Sequence, residues 1–190
     1  MNQGKLITLT GLALSLISCQ LIQAQVMERN LPNEVTVRFA DKNGVPGEPQ
    51  KVPTIKKTNE EWKKELSPDA YRILRSSATE RPHCGLLLDN KKPGIYFCAG
   101  CDLPLFSSAA KFHSGTGWPS FFQPFAKENV GEEVDESHGM RRVEIYCVRC
   151  GGHLGHVFTD GPKPTGLRYC LNSEAMTFKE YPSLAGTEKD

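Results

Sequence analysis

Four of the seven cysteines form two closely spaced pairs, Cys98 with Cys101 and Cys147 with Cys150. Each pair follows an apolar run that ends in an aromatic residue, and turn-forming residues come next. A tight turn at a strand end places two thiolates on one side, and two such turns that face each other complete a tetrahedral zinc site. The pattern therefore predicts one structural Zn²⁺ that joins distant segments of one domain.

Two disulfides, or a redox-active pair, are the alternatives for these four cysteines. A redox site needs only one pair and a βαβ context, and no βαβ pattern is present. The duplication of similar pairs in similar contexts favours zinc.

Cys170 is a different kind of cysteine, because it stands alone between a tyrosine and a leucine. Arg168 precedes it by two positions and Asn172 follows it by two, so on a β-strand the three side chains would share one face. A guanidinium beside a thiol favours the thiolate, which is the attacking form. The alternative is an inert cysteine in the core.

Three aromatic or imidazole side chains could complete a site around this thiol. His153 and His156 lie among glycines upstream and could donate to, or protonate, a substrate oxygen, although metal binding or simple exposure are alternatives. Trp118 follows the glycine-rich stretch 113–117 and could be a core residue or the apolar wall of a small pocket.

The elements that must position these residues are short. Thr58 and Glu61 have the spacing of a capping box, and Ser67 with Pro68 indicates the start of a second helix. After these two short helices the pattern changes to brief apolar runs bounded by glycine and proline, which predict strands in a mainly β fold with antiparallel sheets. The predicted strands are 95–97, 104–106, 142–146, 156–158, 169–171 and 175–178.

Length and charge limit the classes of function. A chain of 190 residues suits one domain, and 23 basic against 22 acidic residues leave almost no net charge, so nucleic acid is not an expected partner.

The N-terminus has the features of an export signal. Residues 1–25 contain one lysine and an apolar run that is too short for a permanent transmembrane helix. The run ends in Leu-Ile-Ser before Cys19, which resembles a bacterial lipobox, so Cys19 is expected to carry a lipid and to anchor the protein on a membrane facing the periplasm. A secretory signal cut after Ala24, which gives a periplasmic or secreted protein, and an uncleaved anchor are the alternatives. Residues 26–57 are rich in proline, and the alternating patch 35–39 with the turn 41–44 could form a short hairpin, but this segment has little to bury and is expected to be a spacer. Residues 58–180 are expected to be the domain and 181–190 a tail.

Several long motifs of the domain resemble those of the B-type methionine-R-sulfoxide reductases, in that family's order. The motifs are SGTGWPSF at 114–121, GHLGHVF at 152–158, DGPKPTG at 160–166, RYC at 168–170 and NS at 172–173. The resemblance implies two antiparallel β-sheets stapled by zinc, with two or three short N-terminal helices. It also implies reduction of the R epimer of methionine sulfoxide in proteins or peptides, which is one repair step for oxidised methionine.

The same resemblance implies roles for individual residues. Cys170 is the nucleophile that becomes a sulfenic acid, and His153 and His156, with Arg168 and Asn172 nearby, hold and protonate the departing oxygen. Asp160 orients a histidine, and Trp118 packs on the methyl group of the substrate.

One departure from the family pattern concerns how the sulfenic acid is removed. Many members carry a resolving cysteine where this chain has Thr116, and threonine cannot resolve a sulfenic acid. Cys84 lies in a segment resembling the place of an alternative resolving cysteine, so a Cys84–Cys170 disulfide reduced by a thioredoxin-like dithiol is the hypothesis. A buried bystander Cys84, with an external thiol acting directly, is the alternative. A non-catalytic zinc module that serves as a binding platform is the rival function.

Overall fold

The computed structural model of the protein describes residues 29–185. No helix in this range is long and apolar enough to cross a membrane. The helices and strands of this range, in chain order, are β1 Glu34–Val37, β2 Gln50–Pro53, α1 Asn59–Glu65, α2 Pro68–Ser76, β3 Gly94–Cys98, β4 Pro104–Ser107, β5 Lys111–Phe112, β6 Ser120–Phe121, β7 Val130–Asp135, β8 Arg142–Cys147, β9 His153–Phe158, β10 Arg168–Leu171 and β11 Met176–Glu180.

Two antiparallel sheets dominate, as the sequence predicts. One has six strands in the order β5-β6-β10-β9-β8-β7, and the other has three in the order β11-β3-β4. Apolar side chains of both sheets form one core, in which the ring of Phe121 lies 5.0 Å from that of Tyr96 and 4.7 Å from that of Phe106. The mainly β fold is therefore confirmed.

The two predicted helices are present and cover this core. In α1 the Thr58 side chain accepts from the Glu61 amide while the Glu61 side chain accepts from the Thr58 amide, so the capping box is confirmed. Trp62 of α1 and Ile73 of α2 are buried in the core, which fixes both short helices by packing rather than by their own propensity.

The expected spacer differs from the structure. Within residues 29–57, β1 and β2 form an antiparallel hairpin whose Val37 is completely buried in the core. Asn129, also completely buried, accepts from the Arg38 amide at 2.8 Å and donates to the Arg38 carbonyl at 2.7 Å. The buried Val37 side chain and the two hydrogen bonds between Asn129 and the Arg38 backbone thus hold the hairpin against the domain. The predicted signal and Cys19, like residues 186–190, lie outside the described residues.

Candidate active site and zinc centre

The register of the six-stranded sheet aligns one row of side chains across all its strands. Directly opposite residues of antiparallel strands point to the same face, so the row is a set of neighbours. Cys170 lies between Ser120 of β6 and His156 of β9. From edge to edge the row consists of Phe112, Ser120, Cys170, His156, Glu144 and Glu133.

A β-bulge brings the second histidine to this face. Three positions separate His153 from His156, and in a regular strand that spacing would place them on opposite faces. The register of β9 against β8 shifts, so that Ile145 faces Gly155 but Tyr146 faces His153, which leaves one extra residue in β9. The two imidazole rings consequently lie 5.5 Å apart.

The bulge is tied to Cys170 through a glycine. A Cβ on Gly155 would lie 2.0 Å from the carbonyl oxygen of Cys170, so only glycine allows this close approach of β9 and β10. The sequence between the two histidines therefore determines their common orientation.

Each histidine is paired with a carboxylate of the same sheet. His153 Nδ1 lies 2.8 Å from Glu144 Oε1, and His156 Nε2 lies 2.8 Å from Asp135 Oδ2. Sequence reasoning missed both carboxylates. It assigned the orienting role to Asp160, which in the structure pairs with Arg168 instead of a histidine.

Asp160 holds the arginine beside the thiol. Its two carboxylate oxygens each accept a hydrogen bond of 2.9 Å from Arg168, and the guanidinium stacks on Phe158 at 4.3 Å from the ring centroid. Asp160 lies two residues after Phe158, which faces Arg168 in the register, so its position follows from the sheet. The pair fixes the guanidinium next to Cys170.

The pKa directions indicate how the carboxylates and His156 are charged. Burial raises the pKa of Asp135, but hydrogen bonds from Ser137, His156 and Arg142 outweigh it, and the net shift is well downward. The pKa of Glu144 is also lowered, because the hydrogen bond with His153 and nearby positive charge, including that of Arg29, outweigh its burial. Burial lowers the pKa of His156 despite Asp135. Both carboxylates are thus anionic acceptors, and His156 is neutral at pH 7.

Cys170 is half-buried and has polar neighbours on its strand and on the glycine-rich loop. Burial raises the pKa of its thiol, while the charge of Arg168 and polar contacts with Thr116, Ser120 and Arg168 act in the opposite direction. The predicted effect of Arg168 is therefore present, but burial exceeds it, and the free protein holds a thiol at neutral pH. Thr116 occupies the place of the absent resolving cysteine and faces Cys170.

Asn172 directly follows β10, which ends at Leu171, and both atoms of its side-chain amide are engaged. Its side-chain oxygen accepts from the Glu80 amide at 2.9 Å, and its side-chain nitrogen donates to the Leu154 carbonyl at 3.1 Å. Since both atoms of the amide bind backbone groups, Asn172 fixes the turn after Cys170.

Glu80 is a site residue that the sequence did not reveal. Its buried carboxylate accepts from the amides of Ser173 and Glu174, and its carbonyl accepts from Trp118 Nε1 at 3.2 Å. Glu80 therefore joins the indole to the segment after Cys170. Trp118 is half-buried and borders a cavity of about 530 Å³ that is also lined by His83, Phe112, Phe122 and Pro162. Cys170, His153 and His156 do not line this cavity.

Cys84 is exposed and free, in a segment held on both sides near the site. The His83 amide donates to the Gly117 carbonyl at 2.8 Å, and Gly117 follows Thr116. On the other side, a Cβ on Gly85 would lie 2.1 Å from Ser173 Oγ, so this backbone packs against the turn after Cys170.

The four remaining cysteines of the described range form one cluster. Their Sγ atoms all lie within 4.8 Å of one another, with 3.6 Å between Cys98 and Cys150 and 3.4 Å between Cys101 and Cys147. Tetrahedral zinc with Zn–S bonds of about 2.3 Å places its sulfurs about 3.8 Å apart, so the donor set and spacing fit. Hydrogen bonding to Cys101 and burial raise the pKa of Cys98, so the cluster needs a cation to hold four thiolates.

The two halves of this zinc site have the same backbone turn. Asp102 and Gly151, each four positions after the first cysteine of its pair, have φ angles of +57° and +70°. The Asp102 amide donates to the Cys98 carbonyl and the Gly151 amide to the Cys147 carbonyl, both at 2.8 Å. One turn follows β3 and the other follows β8, so zinc staples the two sheets together, and the predicted structural site is confirmed.

Comparison with known proteins agrees with this geometry. The sequence model of the SelR domain family matches residues 66–180. A protein of Leptospira interrogans named peptide methionine sulfoxide reductase MsrB is 55% identical over 126 residues, which cover 66% of this chain and 96% of that protein. Proteins of the same name from Bradyrhizobium diazoefficiens and Methanosarcina mazei are 58% and 51% identical, covering 63% and 72% of this chain and 86% and 96% of theirs.

Proposed function

This chain belongs to the SelR domain family, and we propose that it reduces the R epimer of methionine sulfoxide in peptides and proteins to methionine, with Cys170 as the nucleophile. The observation that carries this function is the row on the six-stranded sheet, in which Cys170 lies beside His156, with Arg168 on the same face. A zinc-binding platform without catalysis gives no reason for a half-buried thiol beside two carboxylate-paired histidines.

The first step transfers oxygen from substrate sulfur to enzyme sulfur. As the Cys170 sulfur attacks, the sulfur–oxygen bond of the sulfoxide breaks, methionine leaves, and the oxygen and the thiol proton remain on Cys170 as a sulfenic acid. The sulfoxide is reduced by two electrons and Cys170 is oxidised by two. Because the free thiol has a raised pKa, the proton must move as the substrate oxygen gains negative charge.

We assign the transfer of that proton to His153, with His156 as its supporting neighbour. His153 donates through Nδ1 to Glu144, which leaves Nε2 as the atom that can exchange a proton with substrate. That atom is buried and has no hydrogen-bond partner within residues 29–185. His156 is neutral and held by Asp135, so it orients the imidazole pair without adding a positive charge.

Trp118 supplies the apolar wall that selects the epimer. Its indole nitrogen is fixed by the Glu80 carbonyl, so the ring cannot turn freely. A fixed ring that receives the substrate methyl group leaves the oxygen of only one epimer directed toward the histidines.

Steady-state turnover of the separated epimers tests this function. Wild-type protein with dithiothreitol is expected to reduce the R sulfoxide of a blocked methionine and to leave the S sulfoxide unchanged, and Cys170→Ser is expected to reduce neither. Preference for the S epimer, or turnover by Cys170→Ser, would overturn the proposal.

Cys84 resolves the sulfenic acid in the second step. Its thiol attacks the Cys170 sulfur, the hydroxyl leaves as water, and a Cys84–Cys170 disulfide forms; a thioredoxin-like dithiol then reduces this disulfide and is itself oxidised. The support is that both neighbours of Cys84 contact the site, His83 through Gly117 and Gly85 through Ser173. For this disulfide to form, the two Cα atoms must come within about 7 Å of each other.

A paired substitution separates resolution from catalysis. Cys84→Ser is expected to complete one turnover but to lose repeated turnover with a thioredoxin-like protein. Because Thr116 faces Cys170, the double variant Cys84→Ser with Thr116→Cys is expected to regain repeated turnover. Full repeated turnover by Cys84→Ser alone would exclude Cys84 as the resolving residue.

We further propose, from the sequence alone, that the protein is exported and carries a lipid on Cys19. The dithiol donor is then a periplasmic or membrane-bound one, since the cytosolic pool is absent there. Mass spectrometry of the mature N-terminus from the native host is expected to give a diacylated Cys19, and an unmodified chain that begins later would exclude the anchor.

A further inference from the structure

We propose that Arg29, from the N-terminal segment, is a positioning residue for the reaction and acts through Glu144 on His153. Its Nη2 lies 3.0 Å from Glu144 Oε1, the same oxygen that lies 2.8 Å from His153 Nδ1. The guanidinium, the carboxylate and the imidazole therefore form one continuous chain that ends at the unpartnered His153 Nε2.

Arg29 is held firmly enough to act as a fixed support. Its Nη1 donates to Glu133 Oε2 at 3.0 Å, its guanidinium carbon lies 3.8 Å from the centre of the Tyr146 ring, and its side chain is only 10% exposed. Glu133 and Glu144 are the last two members of the row that contains Cys170. Arg29 thus covers the end of the row opposite to Phe112.

Arg29 gives the buried Glu144 carboxylate a positively charged partner besides His153. Glu144 is 5% exposed, and an ionised carboxylate at such a place needs a fixed counter-charge. Arg29 supplies that counter-charge, so Glu144 keeps its charge and its orientation toward His153 Nδ1 without depending on the imidazole for it. His156, Asp135 and Arg142 are the other titratable or charged groups near this pair.

This support is a property of this chain rather than of the matched domain. Arg29 lies outside residues 66–180, to which the SelR domain model aligns. The neighbouring Leu31 is buried, with its side chain about 3.3 Å from the Cβ position of Gly151, and the hairpin that follows is packed in the core. The N-terminal segment therefore delivers a cation to the active-site face.

Arg38 offers a matched control, because it is an arginine of the same segment with a different target. It pairs with Glu128 at 3.0 Å and with the Gly47 carbonyl at 2.9 Å, away from the row. In Arg29→Ala, kcat for the R sulfoxide is expected to fall roughly fivefold with KM within about twofold, because an interaction that orients a proton-transfer group is removed. Arg29→Lys, which keeps the charge, is expected to regain at least half of the lost activity, and Arg38→Ala is expected to have wild-type kcat.

A readout at the imidazole separates positioning from stability. In ¹⁵N NMR spectra at pH 7, the Nδ1 resonance of His153 is expected to move in Arg29→Ala, because the Glu144 oxygen that it binds has lost its second partner, and to stay at the wild-type position in Arg38→Ala. An unchanged His153 spectrum in Arg29→Ala, or equal losses of kcat in Arg29→Ala and Arg38→Ala, would overturn the proposal. The kinetic arm rests on the proposed function, whereas the spectrum reports on Arg29 even if turnover were absent.

Discussion

The zinc centre and the row around Cys170 use the same side chain for opposite purposes. At the zinc centre four thiols lie within 4.8 Å, three of them buried, and they have chiefly each other as partners. At the row a single half-buried thiol has a guanidinium and two hydroxyls as neighbours, and histidines with paired carboxylates lie next to it.

The neighbours of a cysteine therefore decide whether its sulfur binds a metal or reacts with a substrate. Four clustered thiols can all be deprotonated only when they share a metal cation. Their sulfur atoms are then metal ligands that hold the two sheets together and are not available as nucleophiles. The isolated thiol keeps its reactivity, because its neighbours adjust its charge without occupying the sulfur.

Removing one zinc ligand is expected to unfold the domain. Cys147→Ser leaves three thiols for the metal, and binding of structural zinc can contribute on the order of 10 kcal/mol to folding. Circular dichroism and metal analysis should show loss of zinc together with loss of the β signal. A zinc-free variant that keeps its sheets would contradict the structural role.

Removing the proton carrier is expected to spare the fold and lower turnover. His153→Ala should reduce kcat by about 100-fold or more, since general acid–base groups commonly contribute that much. Zinc content and the β signal should stay at the wild-type level because the cysteine cluster is untouched, whereas the melting temperature should fall because buried Glu144 loses one partner. If this variant keeps the wild-type kcat, a residue other than His153 must carry the proton.

The packing of the N-terminal hairpin is expected to contribute measurably to stability. Val37→Ala removes two buried methyl groups and should lower the free energy of unfolding by about 2 kcal/mol. Val45→Ala, at an exposed position of the same segment, should change it by less than about 0.5 kcal/mol. Equal denaturant midpoints for Val37→Ala and wild type would show that residues 29–57 behave as the spacer first expected.

Removing the positive charge of Arg168 beside the Cys170 thiol is expected to give the smallest effect. Alkylation of Cys170 by iodoacetamide, followed by peptide mass mapping in a Cys84→Ser background, should have a pH midpoint above 9.0, the ordinary value for a thiol, since burial raises the pKa of Cys170. In Arg168→Ala the midpoint should rise further, because a positive charge that lowers the pKa of Cys170 is gone. Arg141→Ala, which removes the charge of an exposed arginine, is the control and should leave the midpoint unchanged. A midpoint that falls in Arg168→Ala would contradict the assigned electrostatics.

The sequence predicted the elements whose signal is local. The capping box at Thr58 and the strands around the cysteine pairs depend on residues a few positions apart, and the structure confirms them. β7 was missed because VGEEVD at 130–135 has three exposed residues and little apolar alternation, as suits an edge strand. β5 and β6 have two residues each, too few for a pattern.

The carboxylates behind the histidines could not be read from the sequence, because cross-strand register decides them. Glu144 reaches His153 only through the bulge in β9, and Asp135 lies on the strand that was missed. Asp160 was the nearest acidic residue in the sequence, yet the register placed it beside Arg168. The family motifs identified the residues, and the sheet determined their partners.

A single-turnover experiment without reductant tests the assignment of Cys170 as the nucleophile. Cys84→Ser, mixed with the R sulfoxide and a sulfenic acid trap such as dimedone, should yield one equivalent of methionine and one trapped adduct on Cys170, and the S sulfoxide should yield neither. Methionine formed with no adduct on Cys170, or an adduct on one of the zinc-binding cysteines, would contradict the assignment of Cys170 as the nucleophile.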